Sequence, residues 1–161
     1  MSVATDWFWG QLTPEQLAFA EAVCVRELEN VQRLRLGQGR YSHTPDERYQ
    51  KQLGAEGEVA FRVLTGRPLP TVEAMTSTWK GADVDGFAVK TVSQPGYRLV
   101  FDGSDLVPAK ALVLVYNAAP RFAIIGRIGV TRARMVRTWS GRGLPRPAWV
   151  IEQEELDPWW E

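Results

Sequence analysis

The residue types able to do chemistry gather in one segment, Lys80-Gly81-Ala82-Asp83-Val84-Asp85-Gly86-Phe87-Ala88-Val89-Lys90-Thr91. Asp85-Gly86 is a two-residue hairpin signal. Around that turn Val84 should pair with Phe87, and Asp83 should lie across from Ala88. Side chains alternate faces along a strand, so Asp83, Ala88 and Lys90 should share one face, with Val84, Phe87 and Val89 directed into the core. A carboxylate and an ammonium are thereby set side by side. A helix carboxylate, Glu58, is expected over the same face, because Gly54 and Gly57 strip one side of its helix and allow close packing. Carboxylates from a helix and a strand can hold a hard cation such as Mg²⁺ or Mn²⁺. Such an ion polarises a phosphate and activates water, while a lysine steadies the charge that develops in the transition state. Taken alone, an Asp83–Lys90 pair is an ordinary cross-strand surface pair that stabilises little.

Other chemistries find no footing. His43 is the only histidine and precedes a helix cap, so it reads as a loop residue. Cys24 is the only cysteine, which excludes an intrachain disulfide and agrees with a reducing compartment. Phosphate-binding Gly-rich loops, Ser/His/Asp sets and zinc-ligand clusters are absent from the sequence.

Two helices should position these residues. Thr13-Pro14-Glu15-Gln16 and Thr44-Pro45-Asp46-Glu47 are both capping boxes with proline at the first helical position. The first helix should run from Thr13 to about Leu36, with Gly37 as its stop and Leu17, Ala20, Cys24, Leu28 and Val31 on its buried side. The second should run from Pro45 to Thr65 and stop at Gly66. Each internal glycine costs about 1 kcal/mol against alanine, so Gly54 and Gly57 call for a packing reason. Beyond Trp79 the sequence turns to strands at Phe87–Val92, Tyr97–Phe101, Ala111–Tyr116 and Phe122–Ile128. Leu112–Val115 reads as a central strand covered on both faces, and Asn117–Arg121 as a hairpin link. Thr131–Ser140 reads as a basic helix and Trp149–Gln153 as a last strand. The fold class is α+β: a central, mostly antiparallel or mixed sheet flanked by helices, in a single domain over 1–161.

The helix bearing Gly-x-x-Gly-Glu, followed by Asp-x-x-x-x-(Asp/Glu)-x-Lys on a hairpin and then further strands, resembles the PD-(D/E)xK nuclease superfamily. Gly54–Phe61, Gly81–Thr91, Tyr97–Val100, Phe122–Ile128 and Arg146–Gln153 look like small bacteriophage proteins of that type. The similarity covers roughly residues 41–158 and leaves the Thr13–Leu36 helix outside it. It implies a restriction-endonuclease-like core with an extra N-terminal helix. It also implies a metal-dependent nuclease acting on DNA in the host cytoplasm. Glu58, Asp83 and Lys90 would be its catalytic residues; Glu58 and Asp83, with Asp85 in support, would hold Mg²⁺ or Mn²⁺. Ala88 departs from the motif, standing where its second carboxylate belongs; Glu56 is a further substitute. The alternative is a catalytically inactive nuclease-fold module that binds a partner or counters host defence through protein contacts.

Composition fits a globular chain, with 45% hydrophobic and 24% charged residues. The longest apolar stretch, Ala109–Tyr116, is interrupted by Lys110 and is too short to span a bilayer. Met1–Gly10 does not read as a signal peptide, so the expectation is cytoplasmic. Net charge is zero, yet Arg121–Pro147 holds seven arginines and no acid, while Glu152–Glu161 holds five acids and no base. The two stretches can pair with each other, or Arg132, Arg134 and Arg137 can contact nucleic-acid phosphates. The tryptophans at the ends, Trp7, Trp9, Trp159 and Trp160, either fold back on the domain or form an interface with a second copy or another protein.

Overall fold

A computed structural model describes residues 6–37, 45–77, 84–102, 106, 109–144 and 147–159. The elements run β1 (Phe8–Gln11), α1 (Pro14–Gly37), α2 (Pro45–Leu64), α3 (Val72–Ser77), β2 (Phe87–Val92), β3 (Leu99–Phe101), β4 (Ala111–Ala118), β5 (Arg121–Gly129), α4 (Val130–Val136), β6 (Thr138–Ser140) and β7 (Ala148–Ile151). The first capping box forms as the sequence demands. Thr13 N–H donates to Gln16 Oε1 at 2.8 Å and Gln16 N–H to Thr13 Oγ1 at 3.1 Å. Thr44, the cap of the second box, and His43 lie outside the described residues, while α2 begins at Pro45 as the box requires. Gly66, at φ +74°, ends α2 in the left-handed conformation that glycine tolerates.

The strands form two sheets. Four make a mixed sheet in the order β1-β5-β4-β2, in which β2 and β4 are parallel and the other pairs antiparallel. The remaining three make an antiparallel sheet in the order β3-β7-β6. Three differences from the sequence-based expectation stand out. Trp7–Trp9 belongs to an edge strand region, because Phe8–Gln11 pairs with Arg121–Ile124. The strand expected over Tyr97–Phe101 begins only at Leu99 and joins the second sheet. The basic helix ends at Val136, and Thr138–Ser140 is extended because it pairs with β7.

Two apolar layers hold the stack together. On one face of the mixed sheet, Phe87, Val89, Val113, Val115, Phe122 and Ile124 pack against Val59, Ala60 and Phe61 of α2 and Ala20 of α1. On the other face, Ala88, Leu112, Leu114, Ile125 and Ile128 meet Leu99, Phe101 and Ile151 of the second sheet and Ala133 of α4. Leu112–Val115 is thus covered on both sides, as its unbroken apolar character requires. Fully burying one such leucine stabilises by about 1.5–3 kcal/mol, so the two layers supply most of the driving force.

A β-bulge sets which side chains of β5 enter which layer. The register steps from Val115↔Ile124 to Leu114↔Gly126, leaving Ile125 as the extra residue. Before the bulge Phe122 and Ile124 face the helices; after it Ile128 faces the second sheet. Since β1 reaches only Ile124, the outer edge of β5 beyond it is taken by the C-terminal segment. Arg127 and Asp157 exchange backbone hydrogen bonds of 2.8 Å each. Gly126 makes room for that segment, because a β-carbon there would lie 2.7 Å from the Asp157 carbonyl oxygen.

Candidate functional site

The turn forms with the expected pairing. Val84 N–H bonds the Phe87 carbonyl at 3.1 Å and Phe87 N–H bonds the Val84 carbonyl at 2.7 Å. Asp85 and Gly86 both have positive φ, +46° and +87°, the combination of a tight primed turn. Asp83 lies outside the described residues. Asp85 does not face the strand site. It is exposed at the turn, and its Oδ2 accepts a 2.8 Å hydrogen bond from Arg67 Nε, whose guanidinium lies 5.2 Å from the centre of the Phe61 ring and 5.4 Å from that of Phe87.

The expectation that α2 lies over the Lys90 face is overturned. Gly57 gives α2 its close approach, but it does so on Thr91, on the Phe87–Val89 face of β2. Lys90 alternates to the opposite face, that of Ala88. α2, which carries Glu58, therefore lies on the other side of the sheet from the face expected, seated there by Gly57. Of the two helix glycines, only Gly57 has a packing reason; the space around Gly54 is open. The Ala88 face also differs from the polar surface expected of it, since Ala88 is 3% exposed beneath the second sheet.

Glu56 serves the fold. Its Oε1 accepts from Asn117 Nδ2 at 2.9 Å and its Oε2 from Gln52 Nε2 at 2.8 Å. Asn117 Oδ1 in turn accepts from Ala119 N–H at 3.0 Å, so Glu56 ties α2 to the β4–β5 turn. Among the described residues no three Asp, Glu, His or Cys side chains come together as a group able to hold a metal ion. Asp85 is thus held by Arg67, and Glu56 by Asn117 and Gln52.

Lys90 instead lines a pocket of about 210 Å³ with Val92, Tyr97, Arg98, Val100, Gly143 and Leu144. Two cationic residues, Lys90 and Arg98, are among those lining this wall. Sequence reasoning alone does not find Tyr97, Arg98 and the Gly143–Leu144 loop as site residues. They come from different chain segments, joined only when β3 and β6 enter one sheet, and no spacing signals that.

Arg98 Nη2 donates to the Arg142 carbonyl at 2.5 Å, and Arg142 N–H donates to Ser140 Oγ at 3.2 Å. These bonds link the pocket to the end of β6, where Trp139 meets Trp149 edge to face at 5.2 Å. Arg137 stacks 4.0 Å from the centre of the Trp149 ring. Trp139 itself is 62% exposed. Arg134 is exposed on α4. Arg132 of the basic stretch is engaged by Glu155, so part of the acidic tail does pair with it, and Arg98 of the pocket approaches Glu152 at 3.8 Å.

The terminal tryptophans divide. Trp159 is 5% exposed and packs its ring 5.1 Å from Phe61 and 5.3 Å from Phe87, with Arg127 over it at 5.1 Å. It is a core residue and is not available to a partner. Trp7 and Trp9 stack at 6.1 Å and both meet Tyr116, with Arg121 over Trp9 at 4.6 Å. Trp160 lies outside the described residues. Among the described residues no helix is long and apolar enough to cross a membrane. In comparisons with known proteins, no family model, curated protein or solved structure matched the chain.

Proposed function

We propose that the protein binds nucleic acid through its phosphates, at the pocket that Lys90 and Arg98 line. The observation that carries this reading is that Lys90 and Arg98 line one concave wall, with Arg98 also 3.8 Å from the exposed Glu152. Phosphate contacts need local positive charge and not overall charge, so a net charge of zero is no obstacle. Tyr97 adds an exposed aromatic ring beside the cations, and Arg142 extends the basic surface away from the pocket. DNA is the form of nucleic acid that the resemblance favours. The test is binding of a labelled oligonucleotide across a salt series, for the native protein and Lys90→Gln. Loss of one phosphate contact should weaken binding and lower the salt slope by about one. Equal affinity and slope in the two proteins would remove Lys90 from the site.

The second reading is metal-dependent cleavage of DNA, favoured by the Val84–Phe87 pairing around Asp85-Gly86, which is the turn the motif calls for. On that reading β2 belongs to a restriction-endonuclease-like core with Asp83 and Lys90 as its working residues, and Glu58, carried by α2 on the opposite side of the sheet, is not among them. Mg²⁺ and Mn²⁺ calorimetry with a plasmid-nicking assay, on the native protein and Asp83→Ala, decides it. Binding and nicking that both vanish in the variant establish cleavage; neither in the native protein leaves a binding module.

A further inference from the structure

We infer that the nucleic acid bound is single-stranded, and that Trp139 is the ring on which an unpaired base stacks. The inference rests on the phosphate-binding reading above and names its substrate class. It starts from Trp139, an indole left 62% in solvent on an edge strand. Its neighbours do not hide it: Trp149 meets it edge to face, and Arg137 covers Trp149 instead. One edge of the indole rests on Trp149, and the rest of the ring is left open for a planar group to stack on it.

The row Phe101↔Trp149↔Trp139 crosses the second sheet in register, from the 3%-exposed Phe101 through half-buried Trp149 to the solvent. Trp139 is thus held against Trp149, which is itself seated beside the buried Phe101, and this keeps the ordering penalty of stacking small.

Charge selects the occupant. Arg137 and Arg142 flank Trp139 within three residues on either side, Arg134 is exposed one helical turn before Arg137, and no acid occurs between Arg121 and Pro147. The hydrogen bonds from Arg98 to Arg142 and from Arg142 to Ser140 join this ring to the Lys90–Arg98 pocket. A cationic track beside an aromatic ring is the arrangement that recognises single strands: phosphates follow the cations while a base lies on the ring. A duplex keeps its base faces stacked on each other, so it can meet the cations but not the indole.

The test measures fluorescence anisotropy of a labelled twelve-nucleotide oligothymidine and of a matched duplex. The proteins are native, Trp139→Ala and Trp139→Phe, with thermal unfolding to verify that each is folded. The native protein should bind the single strand more tightly. Trp139→Ala should weaken that binding about tenfold, within the range known for one base–aromatic stack. Trp139→Phe should restore part of it, and duplex binding and the salt slope should not change. Duplex binding equal to single-strand binding, with Trp139→Ala without effect, would overturn the single-strand assignment and leave the phosphate reading standing. Absence of binding to either oligonucleotide would overturn both. Self-association lost in Trp139→Ala would then assign the ring to a protein contact.

Discussion

Gly57 of α2 sits directly on the side chain of Thr91 in β2, so closely that a β-carbon at 57 would overlap Thr91 Oγ1 and lie 2.7 Å from its Cγ2. This contact fixes how α2 lies on the mixed sheet. It also explains why Lys90, the next residue back along β2, leaves on the far side.

Gly57→Ala should therefore destabilise the protein by about 2 kcal/mol, because the overlap is with the short β-branched Thr91 side chain, whose hydroxyl and methyl leave little room to move aside. Gly54→Ala, three residues earlier in the same helix with open space around it, should stabilise by about 0.5–1 kcal/mol. Urea denaturation of both variants measures this. Equal effects of the two would mean that the Gly57–Thr91 contact does not seat the helix.

Restoring the missing motif carboxylate should not create a metal site. Ala88 is closed in beneath Leu99 and Phe101, so Ala88→Glu would bury an ionisable group in an apolar layer. The expected loss is on the order of 3 kcal/mol, from burying a polar group without partners. A variant that keeps its stability and gains Mg²⁺ binding by calorimetry would show that this face opens to the ion.

Trp159 belongs to the core and should behave so. Trp159→Ala removes a ring packed on Phe61 and Phe87 and should lower stability by about 3–5 kcal/mol. Trp9→Ala, at a half-buried ring, should lower it less. Thermal unfolding alongside light scattering separates this from an interface role, which would instead change the mass in solution and leave the unfolding temperature nearly unaltered.

Cys24 offers a pH test. Burial first, and then the Glu27 carboxylate, push its thiol above the ordinary value. At pH 7 the thiol is neutral in the folded and unfolded chains, so it has no effect there. Above about pH 8.5 the unfolded chain releases the proton and the folded chain does not, so stability falls as pH rises toward the folded value. Urea midpoints at pH 7 and pH 9.5 should fall further for the native protein than for Cys24→Ala. An equal fall in both would place the pH dependence elsewhere.

The local devices are legible in the residues themselves. Thr13 and Gln16 cap α1, Gly66 ends α2, Asp85-Gly86 turns Val84 onto Phe87, and Leu112–Val115 lies covered on both faces. Each depends on neighbours within a few residues, or on a period that one segment carries whole, so the sequence by itself determined them. The tertiary structure alone decided how faces were assigned. Lys90 could be placed on Ala88's side of its strand, but whether a helix or a second sheet covers that side depends on what packs there. The Ile125 bulge switches the faces of β5 with no mark in the local sequence. The company Lys90 keeps was illegible for the same reason. Arg98 and Leu144 approach it only because β3 and β6, separated by more than thirty residues, join β7 in one sheet. Pairing between distant segments is chosen by the total burial it achieves, and no single stretch of chain encodes that sum.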